Sequence, residues 1–273
     1  MIRIGFLTPY QHLPEFTNFA KNNFKCINMA GLPKDKLTIF KSIDYLFAAP
    51  NYLNYIIEQK DIEGTGIKGI LTPSTGDNHI NVSIPVISIK NDNILKEIYS
   101  TAEHNLYLCL AISREAGSIV ELKDKTLGIL GYGRLGKILE KIAKPLFKNI
   151  LRADLDFVDD NFFSDTDFLS INIDYRKTNT DYINEEYVGK FKKNIYIVNT
   201  SRGEVVEEGE LVKMVDEGKV LGYATDVIKE EHTPEATVLK LYHDKRIFIT
   251  RHVGGTAIEA QEKAYKHTLN KLL

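Results

Sequence analysis

Over the first third of the chain, short apolar runs alternate with stretches whose apolar residues recur at helical spacing. Residues 3–7, 25–28, 44–48, 68–71 and 86–89 read as strands, with helices between them at 16–22, 33–41 and 52–59. Such alternation predicts a parallel sheet with helices on both faces. The pattern lengthens over residues 91–114. There Ile94, Ile98, Ala102 and Leu106 lie four apart and Asn93 can cap, so one long helix is expected. Further strands are expected at 168–173, 194–198, 221–224 and 246–249, and a helix at 208–217 ends on Gly218.

Between these halves, residues 126–154 carry an apolar run, a glycine turn, a helical pattern and a second apolar run closed by Asp154. Gly131, Gly133 and Gly136 fit G-x-G-x-x-G, where two glycines permit a tight turn and close backbone approach and the third lets helix and strand pack. A helix beginning at Arg134 and Leu135 would face a pyrophosphate with its N–H groups. Asp154, eighteen positions after Gly136, can accept hydrogen bonds from both ribose hydroxyls and repel a 2′-phosphate, which favours NAD over NADP. Little room follows Asp154 for a second crossover helix. Asp156, Asp159, Asp160 and Asp165 cluster there without a histidine or a ligand spacing, so a solvated loop is expected and no metal.

Composition narrows the class. At 273 residues the chain is long enough for about two domains. With 43% hydrophobic and 26% charged residues and a net charge of −2, it is neither a disordered chain nor a nucleic-acid binder. No run approaches the ~18 apolar residues of a membrane span, and the first residues hold too short an apolar core for a signal peptide. Cys26 and Cys109 stand far apart in apolar surroundings, which suits a reducing compartment, so the cytoplasm is expected.

Three strand ends in the second half deliver chemistry. The strand at 194–198 runs into Asn199, Thr200, Ser201, Arg202 and Gly203. The one at 221–224 delivers Asp226, with Glu231 in the polar loop beyond, and the one at 246–249 delivers His252 before Gly254 and Gly255. Open α/β sheets bind ligands at the carboxyl ends of their strands, so these loops point to one catalytic edge. In the first half, the loop at 72–81 is either an anion-binding turn of backbone N–H groups around Ser74, Thr75 and Gly76 or a plain connection. Glu103 and His104, adjacent on the long helix, read as a structural contact.

With these motifs in this order, residues 72–260 resemble the D-isomer-specific 2-hydroxyacid dehydrogenases, an NAD-dependent family that includes phosphoglycerate and glycerate dehydrogenases. The glycine fingerprint and ribose acid match as described, N-x-x-R-G falls at 199–203, D-V-F-x-x-E at 226–231 and P-H-x-G-G at 251–255. The resemblance implies an α/β fold of two domains. A flavodoxin-like substrate domain would take residues 1–91 and 253–273, a Rossmann-type NAD-binding domain residues 92–252, and the active site the cleft. It further implies that Arg202 holds the substrate carboxylate, that His252 is the proton donor, that Glu231 orients the imidazole, and that Asp226, with Thr200 and His252 nearby, contacts the nicotinamide. Departures occur at Asn172 and Asp174, where the family often has the histidine and proline of H-x-P-L-T, at His232, and at Arg251. A homodimer is the implied assembly, with a short arm at residues 115–125.

The implied reaction interconverts a small D-2-hydroxy acid and its 2-oxo acid, with the carboxylate on Arg202 and on the backbone of Ser74, Thr75 and Gly76. No basic residue stands at 48–52, where phosphoglycerate-specific relatives carry an arginine. Glu231 stands where formate dehydrogenases have glutamine. Neither of those substrates is expected. The alternative is an NAD-binding regulatory protein on the same fold.

Overall fold

The computed structural model describes residues 1–33, 42–53, 55–116, 119–229 and 244–273. The chain divides into two compact units, Met1–Ile98 with Gly255–Leu273, and Tyr99–Gly254.

In the first unit, strands β1 (Arg3–Phe6), β2 (Lys25–Asn28) and β3 (Tyr45–Phe47) are followed by the short β4 (Ile57–Glu58), then β5 (Gly69–Thr72), the short β6 (Ile80–Asn81) and β7 (Val86–Ser88). The main sheet runs β2-β1-β3-β5-β7 and is parallel throughout, the flavodoxin-like order. Its five strands lie within a residue or so of the apolar runs that predict them. Helix α1 (Pro14–Asn23) starts on a proline, whose fixed φ suits the first helical position. Its first turn is capped from a distance. Glu262, on the C-terminal helix Ile258–Asn270, accepts the N–H of Glu15 at 3.1 Å and of Phe16 at 2.5 Å. Phe16 also meets Tyr265 of that helix edge-on at 5.3 Å, so the chain's two ends share one core.

One helix expectation changes here. Residues 52–59 do not form one helix: a tight turn at Pro50–Tyr52 leads into β4, and α2 (Gln59–Ile62) follows. Ile57 is fully buried and pairs with Ile80 across the small β4–β6 sheet, a tertiary partner that helical spacing cannot reveal. The helix expected at 33–41 lies almost wholly outside the described residues.

The second unit opens with α3 (Ser100–Glu115). The long helix expected from residue 91 is split, because Asn91 takes φ +67 and Ile98 is extended, leaving a 3-10 turn at Asn93–Glu97 before α3. The buried stripe of α3 is Ala102, Asn105, Cys109 and Ile112, and Leu106 lies beside it. After it come β8 (Thr126–Leu130), α4 (Arg134–Ala143), β9 (Asn149–Asp154), β10 (Phe157–Val158), α5 (Phe162–Asp165), β11 (Phe168–Ile171), α6 (Glu185–Gly189), β12 (Ile195–Asn199), α7 (Glu208–Asp216), β13 (Val220–Thr225) and β14 (Ile247–Ile249). The sheet order is β10-β9-β8-β11-β12-β13-β14, parallel except for β10 on β9, as in a Rossmann-type domain.

Successive residues of a strand face opposite sides, and here both sides are covered. On β12, Ile195 and Ile197 pack with Leu211, Met214 and Val215 of α7, while Tyr196 and Val198 pack with Cys109 and Ile112 of α3. That is why β8, β11 and β12 are buried at every position.

Candidate active site

Strand β8 ends at Leu130, and the chain turns through Gly131 at φ +93, a conformation that side chains resist. A Cβ there would also stand 2.6 Å from the carbonyl carbon of Asn172, just past β11. Gly136 lies against Gly131, and a Cβ on it would collide with the Gly131 carbonyl oxygen. Gly133 faces open space. It gives α4 no side-chain cap, so the helix begins with N–H groups directed where an anion fits. Burial of Arg134 on that first turn lowers its pKa.

Asp154 closes β9. Its Oδ2 accepts the Tyr132 N–H and its Oδ1 the Leu155 N–H, both at 2.8 Å. A carboxylate offers about four acceptor positions, so roughly two are left for a ribose diol. The surrounding wall comes from a hairpin: Phe157 on β10 meets the Tyr132 ring edge-on at 6.1 Å, and the Arg152 guanidinium lies 5.5 Å from the same ring. The Tyr132 hydroxyl bonds Glu140, which pushes the phenol's pKa up. Asp159, one of the four clustered acids, accepts the Arg152 N–H at 2.9 Å and so finishes the strand edge. Helix α5, which crosses back to β11, has four residues. The glycine cradle, the uncapped helix start and the strand-end acid together fit NAD.

Three neighbouring strands supply the other groups. Past β12, the Asn199 side chain accepts the Ser201 N–H at 3.0 Å and Oγ–H at 2.8 Å and donates to the Arg202 carbonyl at 3.0 Å. Arg202 is thereby held extended and half-buried, with Nη1 donating to the Ser201 carbonyl at 2.7 Å. Gly203 lies so close to the backbone of Ile228 and Lys229 that a side chain would collide. Past β13, Asp226 is buried and its carboxylate accepts the N–H of Val253 at 2.9 Å and of Gly254 at 2.7 Å. Past β14, His252 sits at φ +51, the left-handed region.

Arg202, Asp226 and His252 thus leave consecutive parallel strands at one sheet edge, the edge from which Gly131 also emerges. Thr200 is buried beneath it, its Oγ1 accepting from Asn105 Nδ2 at 2.8 Å. Leu135 is half-buried against the α3–α4 core. Glu231 and His232 lie outside the described residues. In the first unit, Ser74, Thr75 and Gly76 form a turn after β5, where Ser74 Oγ donates to the Gly76 carbonyl at 2.5 Å and lies 3.0 Å from Thr72 Oγ1. His79 Nε2 is 3.2 Å from that same Thr72 oxygen.

Two features escape sequence reading. His104, read there as a structural contact, reaches Thr250 Oγ1 at 2.9 Å and Asp226 Oδ1 at 3.2 Å. Asn105 ties α3 to Thr200 and, through Ser170 at 3.0 Å, to Asn172, which stands where the family often has a histidine. A polar residue inside the apolar stripe of α3 is the signal that marks Asn105.

Residues 95–254 match the family described as "D-isomer specific 2-hydroxyacid dehydrogenase, NAD binding domain". The chain belongs to that family. This dehydrogenase is accordingly an NAD-dependent oxidoreductase. It is similar to a glyoxylate reductase of Thermofilum pendens, 29% identical over 235 residues that cover 72% of this chain and 68% of the relative. A hydroxypyruvate reductase of Thermotoga maritima is 30% identical over 162 residues, 56% of this chain and 53% of the relative. In fold, the dehydrogenase resembles a D-lactate dehydrogenase from Treponema pallidum with a TM-score of 0.81 at 20% identity, over 99% of this chain and 95% of the other. Among its described residues, no helix is long and apolar enough to cross a membrane.

Proposed function

We propose that this dehydrogenase reduces a small 2-oxo acid to the D-2-hydroxy acid with NADH, and that glyoxylate and hydroxypyruvate are the first candidates. The observation that carries the reading is the delivery of Arg202, Asp226 and His252 from consecutive strand ends at the edge that holds the glycine turn. The names of the two curated relatives support the choice of acids.

Bound NADH supplies the hydride that the carbonyl carbon takes up. Gly131, Gly133, Arg134, Leu135 and Gly136 would hold its pyrophosphate and Asp154 its ribose, with Thr200 and Asp226 bordering the nicotinamide end. Arg202 presents a planar, charged fork to the substrate carboxylate, fixing its orientation. His252 holds the proton that passes to the substrate oxygen in reduction and takes it back in oxidation. Glu231 is the proposed partner of the other ring nitrogen. In the first unit, the Ser74, Thr75 and Gly76 turn is the proposed further contact for the acid.

The test is loss of NADH absorbance with glyoxylate, pyruvate, hydroxypyruvate, 2-oxobutyrate, 2-oxoglutarate and phosphohydroxypyruvate, with NADPH in parallel. Turnover of a small acid with NADH supports the reading. Silence across the panel by a chain that binds NADH would replace it with the regulatory one. A homodimer and a cytoplasmic location complete the proposal. The apolar side chains exposed on α3, Tyr107 and Leu110, suit a partner copy, and two unpaired thiols suit a reducing compartment. Light scattering and cell fractionation test them.

A further inference from the structure

We infer that His104 is a positioning residue for His252, acting through Asp226. The inference rests on the acid–base role proposed for His252. His252 stands at φ +51, a backbone conformation that side chains other than glycine seldom adopt, so something must hold it there. The two residues that follow it are fastened to one group. Asp226 Oδ1 accepts the Val253 N–H at 2.9 Å, and Oδ2 accepts the Gly254 N–H at 2.7 Å. Two more donors complete its carboxylate: Thr250 Oγ1 at 2.5 Å and His104 Nε2 at 3.2 Å.

With its hydroxyl proton given to Asp226, Thr250 turns a lone pair toward His104 Nε2 at 2.9 Å. A proton on Nε2 therefore serves both neighbours, and the imidazole closes the ring of contacts. Three of these donors converge on Oδ1 and one holds Oδ2, so the orientation of the Asp226 carboxylate is fixed from both oxygens. Burial alone would disfavour its charge, but the donors outweigh it and hold the carboxyl below its ordinary value. The His104 ring is also a packing surface, since Cδ2 and Cβ lie within 3.5 Å of where a Cβ on Gly254 would be. Next to Gly254 on its other side, Ser100 Oγ donates to the Gly254 carbonyl at 2.6 Å. Helix α3 thus braces the residues after His252 from two of its own turns, and His104 is the brace that reaches Asp226.

The test compares His104→Ala, His104→Gln and Thr250→Val with the intact chain. The first readout is the Cε1–H proton resonance of His252, assigned by its disappearance in His252→Gln. It should move in His104→Ala and return in His104→Gln, whose amide can donate from the place of Nε2. It should move also in Thr250→Val, which deletes the bridging hydroxyl at little change in volume and serves if His104→Ala fails to fold. An unmoved resonance in the folded variants overturns the inference. The second readout is turnover of glyoxylate and hydroxypyruvate. His104→Ala should lower kcat about ten- to a hundredfold by misplacing the imidazole, with KM near that of the intact chain because Arg202 is on another loop. If His252→Gln keeps full turnover, the acid–base reading fails, and the resonance still decides whether His104 positions the turn.

Discussion

The Asp154 carboxylate and the Tyr132 backbone N–H are joined at 2.8 Å, so the group proposed to receive the ribose also fastens the glycine turn. Replacement separates the two roles. Asp154→Asn keeps an acceptor for Tyr132 but loses the charge, and NADPH should gain on NADH. Asp154→Ala loses both, and NADH should weaken about tenfold, the equivalent of one charge-assisted hydrogen bond. Fluorescence titration of each variant with both cofactors checks this; unchanged selectivity in both would remove Asp154 from the ribose site.

Arg202→Lys tests the carboxylate fork. Lysine keeps the charge but loses the planar pair of donors, so KM for the oxo acid should rise by about ten- to a hundredfold. NADH affinity should stay the same, since the arginine lies on the β12 loop and not on the glycine turn. Initial rates over a range of glyoxylate at saturating NADH provide the measurement.

His252→Gln should lose most turnover, by about a hundred- to ten-thousandfold if the imidazole is the acid–base group. NADH binding should survive. Stopped-flow reduction separates the two, and a variant with undiminished rate would exclude His252 from proton transfer.

Glu208 on α7 predicts a pH dependence of stability. It is buried, and burial raises its carboxyl pKa from 4.5 to about 7, although Oε1 accepts the Lys229 N–H at 2.9 Å. The folded chain thus keeps this proton to a higher pH than the unfolded one. The stability associated with Glu208 is full below the unfolded value and declines as pH rises toward the folded value. A rise of that size corresponds to at most about 3 kcal/mol. Glu208→Gln preserves an acceptor for Lys229, so it should stabilise the chain above pH of about 8 and have little effect below about 4.5. Urea unfolding at both pH values decides; a gain of equal size at both would show that the charge is not the cause.

The strands and the glycine turn were legible because each is a local pattern: an apolar run, a spacing, an acid at a strand end. The helix through residue 91 was not, since Asn91 and Ile98 break it by backbone conformation while its apolar spacing continues. Arg202, Asp226 and His252 could be placed at one edge because parallel strands bring successive loops together. The role of His104 could not, because its partners Asp226 and Thr250 come from distant strands and no periodicity on α3 refers to them. The same holds for Ile57, read as helical and found pairing with Ile80.

Where the crossover after β9 shrinks, the sheet acquires a particular rim. The two-residue β10 covers Ala153 and Asp154, and Asp159 takes over at Arg152, accepting its N–H and donating to its carbonyl at 2.8 Å. An edge strand with unspent backbone groups invites another chain to extend it, and nature blunts such edges with brevity and charge. Both are present here. Along residues 152–154 the rim therefore leaves few backbone groups for the strand of another chain to pair with.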